Sequence, residues 1–190
     1  MQRPGVISID VSGEMSKRIK RDKIHFEPGI NIIIGPNGSG KSSIFELLLN
    51  PSEENKKNCK VDSIVGTFFK FDFEKDNPRK KSHFKSFANV ISRFASHGQS
   101  NIKVIELIDS DKVENKMVFM DEPEQALDIY NMTKLVDILH RTKAAQINII
   151  THHPFLILND FHIIEIEDGY YDSVIQFMTP ICERLKRNGI

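Results

Sequence analysis

The chain has 190 residues, and its 26 Lys and Arg balance 26 Asp and Glu for a formal net charge of zero. That length supports a single domain over residues 1–190 with a sizeable core, and the balance gives no global pull toward nucleic acid or membrane, although a local basic patch stays open. No run approaches the ~20 apolar residues of a membrane span and the first residues carry no signal-peptide core. Cys59 and Cys182 make no metal spacing, so a soluble cytoplasmic protein with free thiols is expected.

Val6–Val11 and Lys23–Phe26 read as two short strands joined by a polar turn containing Gly13. Glu27-Pro28-Gly29 turns the chain into the apolar run Ile30–Ile34, a buried strand. Gly35-Pro36-Asn37-Gly38-Ser39-Gly40-Lys41-Ser42 follows at once and fits the phosphate-cradling pattern G-x-x-x-x-G-K-[ST]. The order has a physical purpose. A strand delivers the chain, glycines let backbone N–H groups curl round a phosphate, and a helix starts with its positive dipole end toward the anion. Lys41 then reaches the β- and γ-phosphates of a nucleotide, and the Ser42 hydroxyl takes a place on Mg²⁺. Gly35, Asn37, Gly38, Ser39, Gly40 and Ser43 complete the expected nucleotide contacts.

Ser42–Leu49 continues as a helix that Asn50-Pro51 stops, and residues 51–60 are polar and expected to be exposed. Phe69, Phe71 and Phe73 alternate with polar residues, the period of a half-buried strand. Arg79-Lys80-Lys81 opens a basic, Phe-bearing stretch. It is compatible with single-stranded nucleic acid but reads better as a turn followed by an amphipathic core helix over 86–94. A second helix spans about 100–108, and helical spacing of Leu127, Tyr130, Leu135, Ile138 and Leu139 predicts a helix over 124–142. Ile147–Ile150 and Phe161–Ile166 are further strands, and the chain closes with a basic helix over 181–187. Strands alternating with helices predict an α/β sandwich with a mostly parallel sheet and an antiparallel N-terminal flank.

Met117–Met120 is a short apolar strand that ends in Asp121-Glu122-Pro123. The first acid at such a strand end holds Mg²⁺, directly or through water, in phosphate-loop NTPases. The adjacent acid is repelled by it, which favours proton uptake and suits Glu122 as general base for water. Thr151-His152-His153-Pro154 follows the next strand, on the rim where parallel sheets bind nucleotides. His152 is expected to contact the γ-phosphate or the attacking water, and His153 to be structural.

With these pieces in order, the chain resembles the ATP-binding cassette (ABC-type) ATPases over nearly its whole length, the small soluble kind of bacteria and phages more than the transporters. The phosphate loop corresponds to Walker A, and Val118–Pro123 to Walker B with its glutamate. Gln125-Ala126-Leu127-Asp128 is similar to the D-loop, and Thr151-His152 to the switch histidine. Ala95-Ser96-His97-Gly98-Gln99 stands where the family carries its L-S-G-G-Q signature and keeps Ser96, Gly98 and Gln99. The resemblance implies a phosphate-loop NTPase sandwich of ABC type with a very reduced helical subdomain. It implies ATP and Mg²⁺ as ligands, with ATP sandwiched between two head-to-tail copies. Lys41, Ser42, Asp121, Glu122 and His152 would act from one chain, and Ser96, Gly98, Gln99 and Asp128 from the other. The family's Q-loop glutamine has no counterpart, and Asp72 or Glu74 stands nearest its place.

The expected function is therefore Mg-dependent ATP hydrolysis by a dimer that regulates a partner protein, in DNA maintenance or defence. The competing readings are a transporter ATPase subunit and a nucleotide-gated module with little hydrolysis. A small-molecule kinase fits least, because Asp121-Glu122 and the late histidine suit water activation.

Overall fold

The apolar run before the phosphate loop forms β3 (Gly29–Ile34), in which Ile32, Ile33 and Ile34 are fully buried. A strand covered on both faces needs such a run, and its alternation divides the three isoleucines between two cores. Ile33 packs with helix α1 (Lys41–Leu49), whereas Ile32 and Ile34 pack with helix α2 (Ile129–Arg141). The computed structural model describes residues 8–49, 59–62, 68–72, 106, 108–125 and 127–187.

β3 lies within a five-stranded sheet in the order β5-β6-β7-β3-β8, with β5 at Phe68–Asp72, β6 at Met117–Asp121, β7 at Gln146–Ile150 and β8 at His162–Glu165. Every pairing in it is parallel. The register sets one row across the sheet: Asp72, Asp121, Ile150, Ile33 and Ile164. The segments leaving β3, β6 and β7 thus emerge side by side at one level. Strands pair about 4.8 Å apart, so β6 and β3 stand roughly 10 Å from each other, the scale of a triphosphate. Inside the sheet Asn31 donates to its register partner Asn148 at 3.1 Å, and Gln146 donates to the Glu27 carbonyl at 3.0 Å. A slip of β3 against β7 would strand these buried amides, so they hold the register.

A second, antiparallel sheet has the order β2-β1-β4, with β1 at Ser8–Val11, β2 at Lys23–His25 and β4 at Cys59–Asp62. Ile9 and Ile24 from it join Ile44, Phe45 and Leu48 of α1 in one core. Phe45 meets Phe119 of β6 edge to face at 5.2 Å, fixing the helix behind the phosphate loop onto the strand that carries the acids. The opposite core gathers Leu135, Ile138 and Leu139 of α2 with Leu156 and Ile157 of the short α3 (Pro154–Ile157). The α/β architecture with a parallel sheet and an antiparallel flank agrees with the sequence reading.

Three boundaries differ from it. Cys59 and Lys60, expected in an exposed linker, start β4, because pairing with Val11 and Asp10 decides a strand that local composition does not. The helix expected over 124–142 begins at Ile129, since Asp128 adopts an extended backbone and caps it. The last helix, α4, spans Tyr170–Arg187 rather than 181–187 alone and contains Pro180. The turn at Gly13 is a 3₁₀ helix, Gly13–Lys17. Val6, Ile7, Phe73, the helices expected over 86–94 and most of 100–108, and the reduced helical subdomain lie outside the described residues.

Candidate nucleotide site

The loop after β3 is curled by contacts that only small residues permit. Gly40 has φ +97°, and a Cβ there would stand 2.1 Å from the Arg18 carbonyl oxygen. The Ser39 N–H donates to the Pro36 carbonyl at 3.2 Å, and the Lys20 N–H donates to the Ser39 carbonyl at 3.2 Å. The loop is thereby clamped against the segment between β1 and β2. The Gly40 carbonyl accepts the first helical bond, from Ile44 N–H at 3.2 Å. The amides of Lys41, Ser42 and Ser43 therefore head α1 without an intrahelical acceptor, which is an anion-binding arrangement. Lys41 is buried, and its ammonium donates to the carbonyls of Gly35 at 2.8 Å and Pro36 at 2.9 Å. Burial lowers its pKa, an effect partly offset by the nearby charges of Glu122 and Asp121.

Asp121 closes β6, and Glu122 follows in a left-handed backbone conformation, φ +50°. That conformation costs a residue with a side chain about 1–2 kcal/mol. It is held by the Glu122 N–H donating to the Ile150 carbonyl at 2.9 Å, and Gln125 donates its side-chain amide to Glu122 Oε2. His152, just after β7, has Nδ1 3.2 Å from the Tyr170 hydroxyl at the start of α4. Its pKa is lowered first by burial and then by the charge of Lys41, with Glu122 acting the other way. His153 caps α3, its Nδ1 accepting from the Phe155 N–H at 3.2 Å.

These segments face one cavity of about 430 Å³. Asn37, Gly38, Gly40, Lys41, Ser42, Ser43, Asp121, Glu122 and His152 line it together, so residues distant in the chain converge on it. Gly35 and Ser39 are buried in the loop and do not line it. Asp128 is also outside the cavity, where its carboxylate accepts from the Asn131 N–H at 2.9 Å. Ser96, Gly98, Gln99 and Glu74 lie outside the described residues. Asp72 stands beside Asp121 in the register of β5 and β6.

Besides Ile150 at the end of β7, two charged lining residues escaped the sequence reading, Lys17 and Arg18. These two belong to the polar turn between β1 and β2, and its run of Lys17, Arg18, Lys20, Arg21 and Lys23 was the available signal. In the single chain Lys17 pairs with Glu14 and Arg18 with Glu46, each at 2.8 Å. The cavity suits a polyanion: three cations, Lys17, Arg18 and Lys41, line it together with the residues that head α1, beside the two acids Asp121 and Glu122.

A five-stranded parallel sheet with a phosphate loop, a paired-acid strand end and a histidine turn on adjacent strands gives this chain the fold of the phosphate-loop NTPases, in its ABC-type form. The chain belongs to the AAA domain family (AAA_23), whose pattern matches residues 15–168. It is similar to the DNA double-strand break repair Rad50 ATPase of Thermococcus kodakarensis, 34% identical over 91 residues, covering 44% of this chain. The match spans only 10% of that relative's length. A bacterial Atm1-family ABC exporter solved with ATP bound shares the fold, with a TM-score of 0.51 and 14% identity over 93% of this chain and 44% of the exporter.

Proposed function

We propose that this chain binds Mg-ATP and hydrolyses it as a head-to-tail dimer whose cycle controls a partner protein. The observation that carries this reading is the shared lining of one cavity by Lys41, Ser42, Asp121, Glu122 and His152. Its glycine-curled loop fits a phosphate, because a Cβ at Gly40 would collide with backbone and undo the curl. Among the described residues no group of three or more His, Cys, Asp or Glu is arranged for a metal. A magnesium ion here fits Ser42 and Asp121 completed by phosphate oxygens and water, as is usual for this ion, and would neutralise charge on the phosphates.

In this reading Lys41 leaves the Gly35 and Pro36 carbonyls for the phosphates, and the amides heading α1 hold them. Lys17 and Arg18 add positive charge to the lining. Glu122 takes a proton from water, and His152, kept neutral by its lowered pKa, orients the γ-phosphate or that water. The Gln125 contact to Glu122 suggests that hydrolysis waits for dimer closure to free the carboxylate. Ser96, Gly98, Gln99 and Asp128 are the contacts proposed from the second copy. Residues 1–190 act together as one domain, in the cytoplasm. DNA maintenance or defence is its setting, with support from the similarity to a DNA repair ATPase.

The test is Glu122→Gln. With saturating Mg-ATP this variant should sediment as a dimer and turn over at under about a hundredth of the parent rate, as expected on losing the group that activates water. A variant that stays monomeric under those conditions overturns the sandwich.

A further inference from the structure

Glu124 is a partly desolvated carboxyl that the reading above does not use. Its Oε1 accepts from the Thr151 hydroxyl, and its Oε2 is buried without a hydrogen-bond partner. The Thr151 hydroxyl in turn accepts from the His153 N–H at 2.9 Å, and Thr151 is fully buried. One residue earlier in β7, the Ile150 carbonyl takes the Glu122 N–H at 2.9 Å. Two successive residues leaving β7 therefore grip two residues of the acid turn: Ile150 holds Glu122 and Thr151 holds Glu124. The Leu127 N–H closes the turn on the Glu124 carbonyl at 3.0 Å.

We propose that Glu124 is a positioning residue that ties the turn carrying Glu122 to the turn carrying His152, so that the two side chains act on the nucleotide as one rigid unit. A carboxyl removed from water is costly unless its interactions offset that cost, and a strained Glu122 needs a rigid frame. Burial raises the Glu124 pKa, opposed by the Thr151 hydroxyl and by backbone N–H groups, including that of His152. A surface acid in a loop would have neither the buried oxygen nor this hydroxyl. Thr151 has its one proton on Glu124 while a lone pair of its oxygen takes the His153 N–H, so losing Glu124 or the Thr151 hydroxyl breaks this side-chain link between the two turns.

This inference rests on the proposed hydrolytic role of Glu122 and His152. Its test uses Glu124→Ala, Glu124→Gln, Thr151→Val and the double variant Glu124→Ala/Thr151→Val in the full chain. Each alanine or valine variant should lower kcat about tenfold while KM for ATP stays within about twofold, the signature of lost transition-state alignment. The double variant should be no slower than either single one, since both break the same link. Glu124→Gln keeps the acceptor oxygen and should retain most of the rate. The His152 imidazole NMR signals should shift in Glu124→Ala and stay near their parent positions in Glu124→Gln.

An unchanged kcat in Glu124→Ala, with unmoved His152 signals, overturns the tie even if the parent is an active ATPase. Additive losses in the double variant do the same. If the parent chain does not hydrolyse ATP, the functional reading fails, and the NMR comparison still decides whether Glu124 positions His152.

Discussion

The Tyr170 hydroxyl lies 3.2 Å from Nδ1 of His152, with the two rings edge to face at 6.4 Å between centroids. The first turn of α4 thus steadies a residue that emerges from β7. Replacing Tyr170 with Phe keeps the ring and removes the bond. A lost hydrogen bond of about 1 kcal/mol corresponds to roughly a fivefold drop in kcat, with nucleotide affinity unchanged. Steady-state kinetics beside a labelled-ATP titration checks both halves.

Lys41 carries the tightest expected link to the nucleotide. Its ammonium is already buried beside two carbonyls, so little ordering remains when phosphate replaces them. Charge-assisted bonds contribute about 1.5–3 kcal/mol each, so Lys41→Ala should weaken binding of a fluorescent ATP analogue by at least about a hundredfold. Unchanged affinity would place the nucleotide elsewhere.

Two loop glycines should respond differently to the same change. Gly40→Ala meets the Arg18 carbonyl as well as an unfavourable φ of +97°, whereas Gly38, at φ +78°, has open space around it. Gly38→Ala should therefore cost only the conformational ~1–2 kcal/mol, a fall of a few degrees in Tm. Gly40→Ala should lower Tm by roughly 10 °C or more and abolish nucleotide binding. Calorimetry on both proteins separates the two causes, and equal losses would mean that the contact with Arg18 is unimportant.

The pH dependence follows from His152. Its folded pKa lies below the ordinary value, with burial as the main cause and Lys41 next. Above the unfolded pKa of about 6.5 both states are neutral and the group leaves stability unchanged. As pH falls from there through the folded pKa, the unfolded chain takes up the proton first and stability is lost. The parent should therefore lose more Tm between pH 7.5 and 5.5 than His152→Gln does. Identical losses would show that His152 is not desolvated in the folded protein.

Much of the fold was legible because its signals are local. The run Ile30–Ile34, the loop Gly35–Ser42 and the strand ending at Asp121 each announce themselves within a few consecutive residues. β4 was not legible, since Cys59–Asp62 becomes a strand only by pairing with β1. Asp128 illustrates a subtler limit. Its place in the chain suggests a contact to a second copy, while its carboxylate is engaged as the cap of α2.

The sequence by itself determined that a strand, a glycine-rich turn and a helix would make a phosphate cradle, because steric freedom and hydrogen-bonding order are properties of adjacent residues. It likewise marked Asp121, Glu122 and His152 as strand-end groups. Only the tertiary structure decided that β6, β7 and β3 are neighbours, which aligns Asp121 with Ile150 and Ile33 in one row. The same holds for Lys17 and Arg18 in the cavity lining and for Glu124 on Thr151. Those relations join residues far apart in the chain. They are set by burial of two apolar faces and by the pairing of buried polar groups, which no short window of sequence contains.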